Sequence, residues 1–361
     1  MIGLVFALAV LPADGSAESI HAGLEPYLSV RTGLACQACH TNRTGGGNRT
    51  MFGNIFAQTQ LPMQPGTVVP KELTEFLRVG FDVRAEAQAA FRSTTTPRTE
   101  MVLDVAQLYI EGRFLDGRVV MYMDQTMGPT SSYSREAFVM VEALPGEGYV
   151  KAGRLLLPYG WRLQDDAEFI RARTDFNYFA SDMGAEIGFA PGPLQFALAL
   201  TNGTFGGREN DNGKLVTTQA SLVFPNVRIG ASASRNESGG PGVRRDTYGG
   251  FGGVAIGPLA LLGEVDLRRD VVPAPAATIR HLFGYAEADW LFRRGLNGKV
   301  TYGYWDPDRA APNDRNVRMR FGLEAFPVPF LRFGAFYTYV NDDNGTGNTD
   351  DRLSAEAQIH F

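Results

Sequence analysis

The sequence contains only two cysteines, and both belong to one short segment, Cys36-Gln-Ala-Cys39-His40. In a C-x-x-C-H segment each cysteine can form a thioether with a vinyl group of haem, and the histidine can bind the haem iron as its proximal ligand. This spacing therefore predicts one covalently attached c-type haem, held by Cys36 and Cys39 and ligated by His40.

A C-x-x-C pair also occurs in thioredoxin-like proteins, where it begins a helix within a βαβ pattern and carries out thiol redox chemistry. No such pattern surrounds Cys36 and Cys39. We therefore favour haem attachment, and a periplasmic thiol-redox module is the weaker alternative.

The composition narrows the possible partners. The chain has a formal net charge of −5 at pH 7, with 44% hydrophobic and 20% charged residues. A nucleic-acid partner is not expected, because a chain without a basic excess cannot neutralise phosphates. The 24 Phe and 13 Tyr residues favour strands over helices.

The first residues predict export. An apolar run over residues 2–11 is followed by the small residues Gly15-Ser-Ala17, as in a secretory signal peptide and its cleavage site. The run is too short for a membrane-spanning helix, which needs ~20 apolar residues. We predict a signal peptide at residues 1–17.

From about residue 76 onward, apolar and polar residues alternate with period two, which predicts strands with one apolar face. Many of these segments are longer than the strands of soluble domains, which average about 5–6 residues. Long polar loops alternate strictly with short turns, as in bacterial outer-membrane barrels. We predict an all-β, transmembrane antiparallel barrel of sixteen strands, at 77–91, 101–115, 118–127, 136–144, 148–160, 182–191, 194–204, 214–225, 227–238, 245–257, 259–272, 279–292, 296–308, 315–328, 331–343 and 350–361.

Sixteen strands enclose a wide lumen. The longest loop, 160–181, is expected either to fold into this lumen as a constriction, as in porins, or to lie in solvent at the surface. The loops 306–315 and 341–351 are rich in aspartate and could attract cations such as Fe²⁺, although solvated loops commonly have the same composition.

The chain therefore divides into a signal peptide at 1–17, a haem attachment segment at 18–70 and a porin-like barrel at 77–361. The middle segment is too short to bury a haem in a core of its own. We expect it to lie inside the barrel as a plug.

Haem iron in electron-transfer proteins usually takes a second axial ligand, Met or His. His360 lies on the polar face of the last strand, at the end where the segment 18–70 must enter, and Met51 follows His40 closely. We expect the sixth ligand to be His360 or Met51. The other candidates are His21, Met63 and His281.

The whole arrangement resembles the outer-membrane cytochrome–porin fusions of iron-oxidising bacteria. The matching residues are Arg31-Thr-Gly33 before the haem motif, Cys36-Gln-Ala-Cys39-His40 itself and Phe52-Gly-Asn-Ile-Phe56 after it, with a barrel that ends at Phe361. The resemblance implies one haem c that takes electrons from extracellular Fe(II) and passes them to a periplasmic c-type cytochrome. It leaves open whether the chain is a ferrous-iron oxidase. The chain differs from the family in its glycines at 45–47 and in its shorter length. These differences affect one implication of the resemblance, namely that the substrate is Fe(II).

Two functions follow from these features. The first is electron transfer across the outer membrane, between an extracellular donor or acceptor and periplasmic cytochromes. The alternative is a diffusion porin with an accessory periplasmic haem segment.

Overall fold

The computed structural model describes residues 25–92, 98–128, 132–177, 180–209, 211–273, 276–342 and 350–361. The predicted signal peptide at 1–17 and the candidate ligand His21 lie outside the described residues. Within the described part of the chain, no helix is long and apolar enough to cross a membrane.

The described residues form one closed barrel of sixteen antiparallel strands, in which sequence neighbours pair and the first strand pairs with the last. This confirms the predicted barrel and its strand number. The strands are β1 (Leu77–Arg92), β2 (Arg98–Phe114), β3 (Val119–Thr126), β4 (Tyr133–Leu144), β5 (Gly148–Leu155), β6 (Asp182–Phe189), β7 (Leu194–Thr201), β8 (Leu215–Phe224), β9 (Val227–Asn236), β10 (Arg244–Ile256), β11 (Leu259–Pro273), β12 (Ala276–Arg293), β13 (Leu296–Asp306), β14 (Asn316–Ala325), β15 (Leu331–Asp342) and β16 (Asp350–His360).

The alternating pattern separates a polar lumen from an apolar outer face. In β1, Asp82 and Arg84 are buried on the lumen side, whereas Phe81 and Val83 are exposed on the outside. The outer face of β16 is likewise apolar, for example at Ile359. An apolar band around a polar interior is the pattern of a barrel embedded in lipid.

The first and last strands close the barrel at its short-turn end. The backbone N–H of Phe81 donates to the carbonyl of Phe361 at 2.9 Å, and the N–H of Phe361 donates to the carbonyl of Phe81 at 2.8 Å. In the same register Asp82 lies opposite His360. His360 is buried and faces the lumen.

One long loop folds into the lumen. β5 ends at Leu155, earlier than the predicted position 160, because the chain turns inward there. In the following residues, Trp161, Leu163 and Ile170 are buried in an apolar cluster inside the barrel. Of the two alternatives for loop 160–181, the inward constriction is therefore correct for its described residues. We call the described residues of this segment, 156–177 and 180–181, the inward loop; a short helix, α4 (Phe169–Ala172), lies within it.

Ahead of the barrel, the described chain forms three short helices that the sequence patterns did not predict: α1 (Pro26–Thr32), α2 (Cys36–Cys39) and α3 (Met51–Thr59). α1 has Pro26 in its first turn and ends at Gly33, whose φ of 64° favours glycine. It packs against β9, β10 and β11 inside the barrel. We call residues 25–70 the plug, because they occupy the lumen near the short-turn end.

Candidate functional site

The C-x-x-C-H motif forms a single helical turn within the barrel. α2 covers the two cysteines, and the backbone N–H of His40 closes the turn by donating to the Cys36 carbonyl at 2.9 Å. As a result Cys36, Cys39 and His40 all line one cavity. The structure thus brings the three predicted site residues together, while haem attachment itself stays a prediction.

The start of α3 holds this turn in place. Thr50 donates from Oγ1 to the Ala38 carbonyl at 2.7 Å and from its backbone N–H to the Cys39 carbonyl at 2.9 Å. The same Thr50 side chain caps α3 by accepting from the N–H of Gly53 at 3.1 Å. A Cβ atom on Gly53 would lie 2.2 Å from the Cys39 carbonyl oxygen. Glycine at this position is therefore what lets α3 approach the motif.

Hydrogen bonds directly after the motif fix the plug to the barrel wall. Thr41 Oγ1 donates to Glu111 Oε2 at 2.5 Å, and Asn42 Nδ2 donates to both carboxylate oxygens of Glu136, at 2.8 and 2.7 Å. Lys151 Nζ donates to Asn42 Oδ1 at 3.2 Å. All of these residues are buried. Each bond to a charged group contributes about 1.5–3 kcal/mol, so the position of the motif in the lumen is well determined.

The ends of the plug contact the short turns. Arg31 Nη2 donates to the Pro258 carbonyl at 2.7 Å, in the turn between β10 and β11. Arg294, in the turn between β12 and β13, donates from Nε to the Pro62 carbonyl at 2.8 Å. The plug is therefore tied to the short-turn end of the barrel, as expected for the segment that precedes β1.

A cavity lies between the motif and the inward loop. Leu28 and Leu34 of the plug and Trp161 of the inward loop belong to its apolar lining. Cofactor sites typically have mostly apolar walls and a few polar groups that fix the orientation of the ligand. The apolar lining, the paired thiols and the imidazole together suit a covalently held haem.

The protonation of His40 also suits metal binding. Burial, and next the charge of Arg49, lowers the pKa of His40 to about 3. The neutral imidazole that results is the form that ligates metals. The Nδ1 atom of His40 is buried and has no hydrogen-bond partner in the described structure.

The two cysteines of the motif differ in their environment. Burial, and next the neighbouring Cys36, raises the pKa of the Cys39 thiol to about 11. Thiol–disulfide exchange begins with one attacking thiolate, and a thiol with so high a pKa is not that thiolate. The thiol-redox alternative would therefore require Cys36 as the attacking cysteine.

The two preferred sixth ligands do not line this cavity. Met51 is the first residue of α3 and is 53% exposed. His360 lines a neighbouring cavity, together with Arg49. The charge of His360 contributes to the lowered pKa of His40, so the two imidazoles are within electrostatic reach of each other. The assignment of His360 or Met51 as the sixth ligand stays a prediction.

The remaining described candidates lie elsewhere. The sulfur of Met63 is 3.9 Å from Arg293, at the short turns. His281 Nε2 is 3.6 Å from Asp270 Oδ2, towards the long-loop end. Among the described residues, no group of three or more His, Cys, Asp or Glu side chains is placed to hold a metal ion, so the aspartates of loop 306–315 form no such group.

Sequence reasoning did not identify several residues that line the cavity, among them Trp161 and Arg228. The alternation in β9 places Arg228 on the lumen face, but it does not give its level along the barrel. Trp161 belongs to the long loop, whose inward course the sequence left open.

The closed barrel with an inward loop defines a porin-like fold, and the comparisons agree. OmpT of Vibrio cholerae, in its trimer form, is 11% identical, with 80% of this chain and 100% of that chain covered and a TM-score of 0.61. An anion-selective porin from Comamonas acidovorans is 9% identical, with 79% and 99% covered and a TM-score of 0.65. OmpF of Salmonella typhi is 13% identical, with 79% and 98% covered and a TM-score of 0.60. No protein-family model and no curated protein sequence matches this chain.

Proposed function

We propose that this chain is an outer-membrane monohaem cytochrome–porin. It transfers electrons between an extracellular donor or acceptor, such as Fe(II), and a periplasmic c-type cytochrome. The observation that carries the proposal is the cavity inside the barrel, where Cys36, Cys39 and His40 meet apolar walls. The resemblance to the cytochrome–porin fusions of iron-oxidising bacteria supplies the iron substrate and the cytochrome partner.

Each part of the chain has a distinct role in this proposal. A bound haem supplies a one-electron redox centre. Cys36 and Cys39 tether it, and His40 ligates its iron. Glu136 and the other wall residues fix the plug, while Trp161 and the inward loop exclude water from the cavity. A cavity of low polarity is one of the means by which a protein tunes a haem potential.

The proposal also gives the barrel an orientation. In outer-membrane barrels the short turns face the periplasm and the longer loops face the exterior. The plug is tied to the short turns at Pro258 and Arg294. The haem motif would then lie on the side where periplasmic cytochromes are found, and loop 204–213 would face the exterior.

The likeness to solved porins and channels favours a second candidate, a diffusion porin with an accessory haem segment. This likeness supports solute passage more directly than it supports electron transfer. Against free diffusion stands the packing inside the lumen, where Trp161 and Leu163 of the inward loop share an apolar cluster with Leu28 of the plug.

Two measurements on the purified full chain separate these candidates. The absorbance of the pyridine haemochrome tests for haem c, and planar-bilayer recording tests for an open lumen. The electron conduit should contain haem, pass little ion current and have its haem reduced by external Fe(II) in intact cells. A porin-like current with no reduction of the haem would favour the diffusion porin, and absence of haem would refute electron transfer.

A further inference from the structure

Arg228 of β9 is a buried cation beside the haem motif. It is 5% exposed. Its Nη1 atom donates to Ser29 Oγ and to Cys36 Sγ, both at 3.1 Å, and its Nη2 atom donates to Ser221 Oγ at 3.3 Å. All of these partners are neutral acceptors. Over the described chain, no carboxylate lies within ion-pair distance of this guanidinium.

Arg228 differs in this respect from other arginines of the lumen. Arg135 pairs with Asp124 at 2.5 Å, and Arg332 pairs with Glu324, also at 2.5 Å. Buried cations are almost always paired, because the loss of hydration is otherwise not offset. Among the described residues, Arg228 therefore has no anionic partner within ion-pair distance.

The guanidinium of Arg228 is placed to meet an anion in the cavity. Arg228 lines the cavity with Cys36 and Trp161, and its guanidinium carbon lies 5.2 Å from the centre of the Trp161 ring. Its Nε atom is buried and, in the described structure, has no hydrogen-bond partner. The sulfur of Cys36 is only a weak acceptor, as a thiol or as a thioether, so it does not replace a charged partner.

We propose that Arg228 binds a propionate carboxylate of the haem and that its charge raises the haem's redox potential. This inference rests on the proposed function, because the carboxylate belongs to the haem. A guanidinium matches a carboxylate with two parallel hydrogen bonds. Ferric haem has one more positive charge than ferrous haem, so a fixed cation nearby favours the ferrous form. The apolar walls strengthen that effect.

The test is a redox titration of the full chain with its haem attached. Arg228→Gln removes the charge, and Arg235→Gln is the matched control, because Arg235 lies on the same strand, is half exposed and pairs with Asp246. We expect Arg228→Gln to lower the ferrous-to-ferric ratio at a fixed ambient potential about tenfold, which corresponds to about 59 mV. The control should leave the potential unchanged. Arg228→Lys keeps the charge without the planar fork and should fall between.

Arg228→His provides a second test, in which one variant is compared with itself at different pH values. This test can still be made if the glutamine variant does not assemble. Histidine changes its charge between about pH 5 and 8, so the potential of this variant should fall more steeply with pH than that of the wild type. Equal potentials in Arg228→Gln and Arg235→Gln, or a pH profile of Arg228→His like the wild type's, would overturn the inference while haem attachment stands. A wild-type chain without covalent haem would refute the proposed function, and this inference with it.

Discussion

Arg162 of the inward loop donates a hydrogen bond of 2.9 Å from Nη2 to Oγ1 of Thr44 in the plug. The two residues reach this contact from opposite ends of the barrel, since the plug is tied to the short turns and the loop descends from the long-loop end. The plug and the inward loop together occupy the lumen, which sixteen strands would otherwise leave open.

We predict that deletion of residues 18–70 converts a barrel of low conductance into an open pore. The wall residues that hold the plug, such as Glu136 and Lys151, would then face water, where charged groups are well solvated, so the barrel should still form. Planar-bilayer recording of the full and shortened chains measures the change. A full chain that already conducts as strongly as the shortened one would show that the plug does not block the lumen.

We predict that the double substitution Cys36→Ala and Cys39→Ala gives a folded barrel without covalent haem. The strands bury their outer faces in lipid independently of the motif, so the heat-dependent mobility of the barrel on a gel should be unchanged. Haem staining of a denaturing gel measures attachment. The variant should also keep its low conductance, because the plug is intact. Haem that remains with the denatured double variant would contradict attachment at these cysteines.

We predict that His360→Ala, and not Met51→Ala, changes the spin state of the haem iron. His360 is buried in the lumen and within electrostatic reach of His40, whereas Met51 is 53% exposed. Loss of an axial ligand converts a low-spin haem to a high-spin one, which the visible spectrum reports. If neither substitution changes the spectrum, both assignments are wrong and His21 is the next residue to test.

We predict that the thermal stability of the plugged barrel decreases as the pH rises from 4.5 to about 7. Burial raises the pKa of Glu25 from 4.5 to about 7, with Lys299 opposing and Glu324 adding to the shift. The folded chain therefore holds a proton that the unfolded chain releases above pH 4.5. The stabilisation is complete below that pH and is lost as the pH rises through 7; the shift limits it to about 3 kcal/mol.

Glu25→Gln tests this pH dependence, since an amide cannot release the proton. The unfolding temperature of this variant should vary less over the same pH range than that of the wild type. Glu75→Gln, at an exposed carboxylate of the linker before β1, is the control and should retain the wild-type profile. Parallel profiles for the wild type and Glu25→Gln would show that Glu25 does not titrate in this range.

We predict that protease added to intact cells cuts in loops 204–213 and 341–351. The same treatment should spare the turns at 145–146 and 327–329, because short turns of outer-membrane barrels face the periplasm. The fragment masses identify the cut sites, and cells with a permeabilised outer membrane are the control for access. Cuts confined to the two turns would reverse the proposed orientation.

The strands were predictable because each has one face toward lipid and one toward the polar lumen. Apolar and polar residues therefore alternate along every strand. The clearest discrepancy is the end of β5. The apolar residues continue past Leu155 as far as Leu157, yet the backbone N–H of Leu156 donates to Glu136 Oε1 at 2.9 Å instead of to a neighbouring strand. Nothing local in the sequence marks that bond, because its partner is a side chain from β4.

The site was only partly predictable for a similar reason. The C-x-x-C-H motif is local, so Cys36, Cys39 and His40 could be named as candidate site residues from their spacing alone. The contacts of Asn42 with Glu136 and of Arg228 with Cys36 join distant parts of the chain. Alternation assigns a residue to the lumen face, but it does not say how far along the barrel the residue lies or which plug residue it meets.

The paired backbone hydrogen bonds between Phe81 and Phe361 have a consequence for biogenesis. They join the two ends of the sheet, so the plug is encircled as soon as they form. An enzyme that attached haem to Cys36 and Cys39 after that point would have to act through the short-turn end of a closed barrel. Under the proposed function, haem attachment would therefore precede closure of the barrel in the membrane.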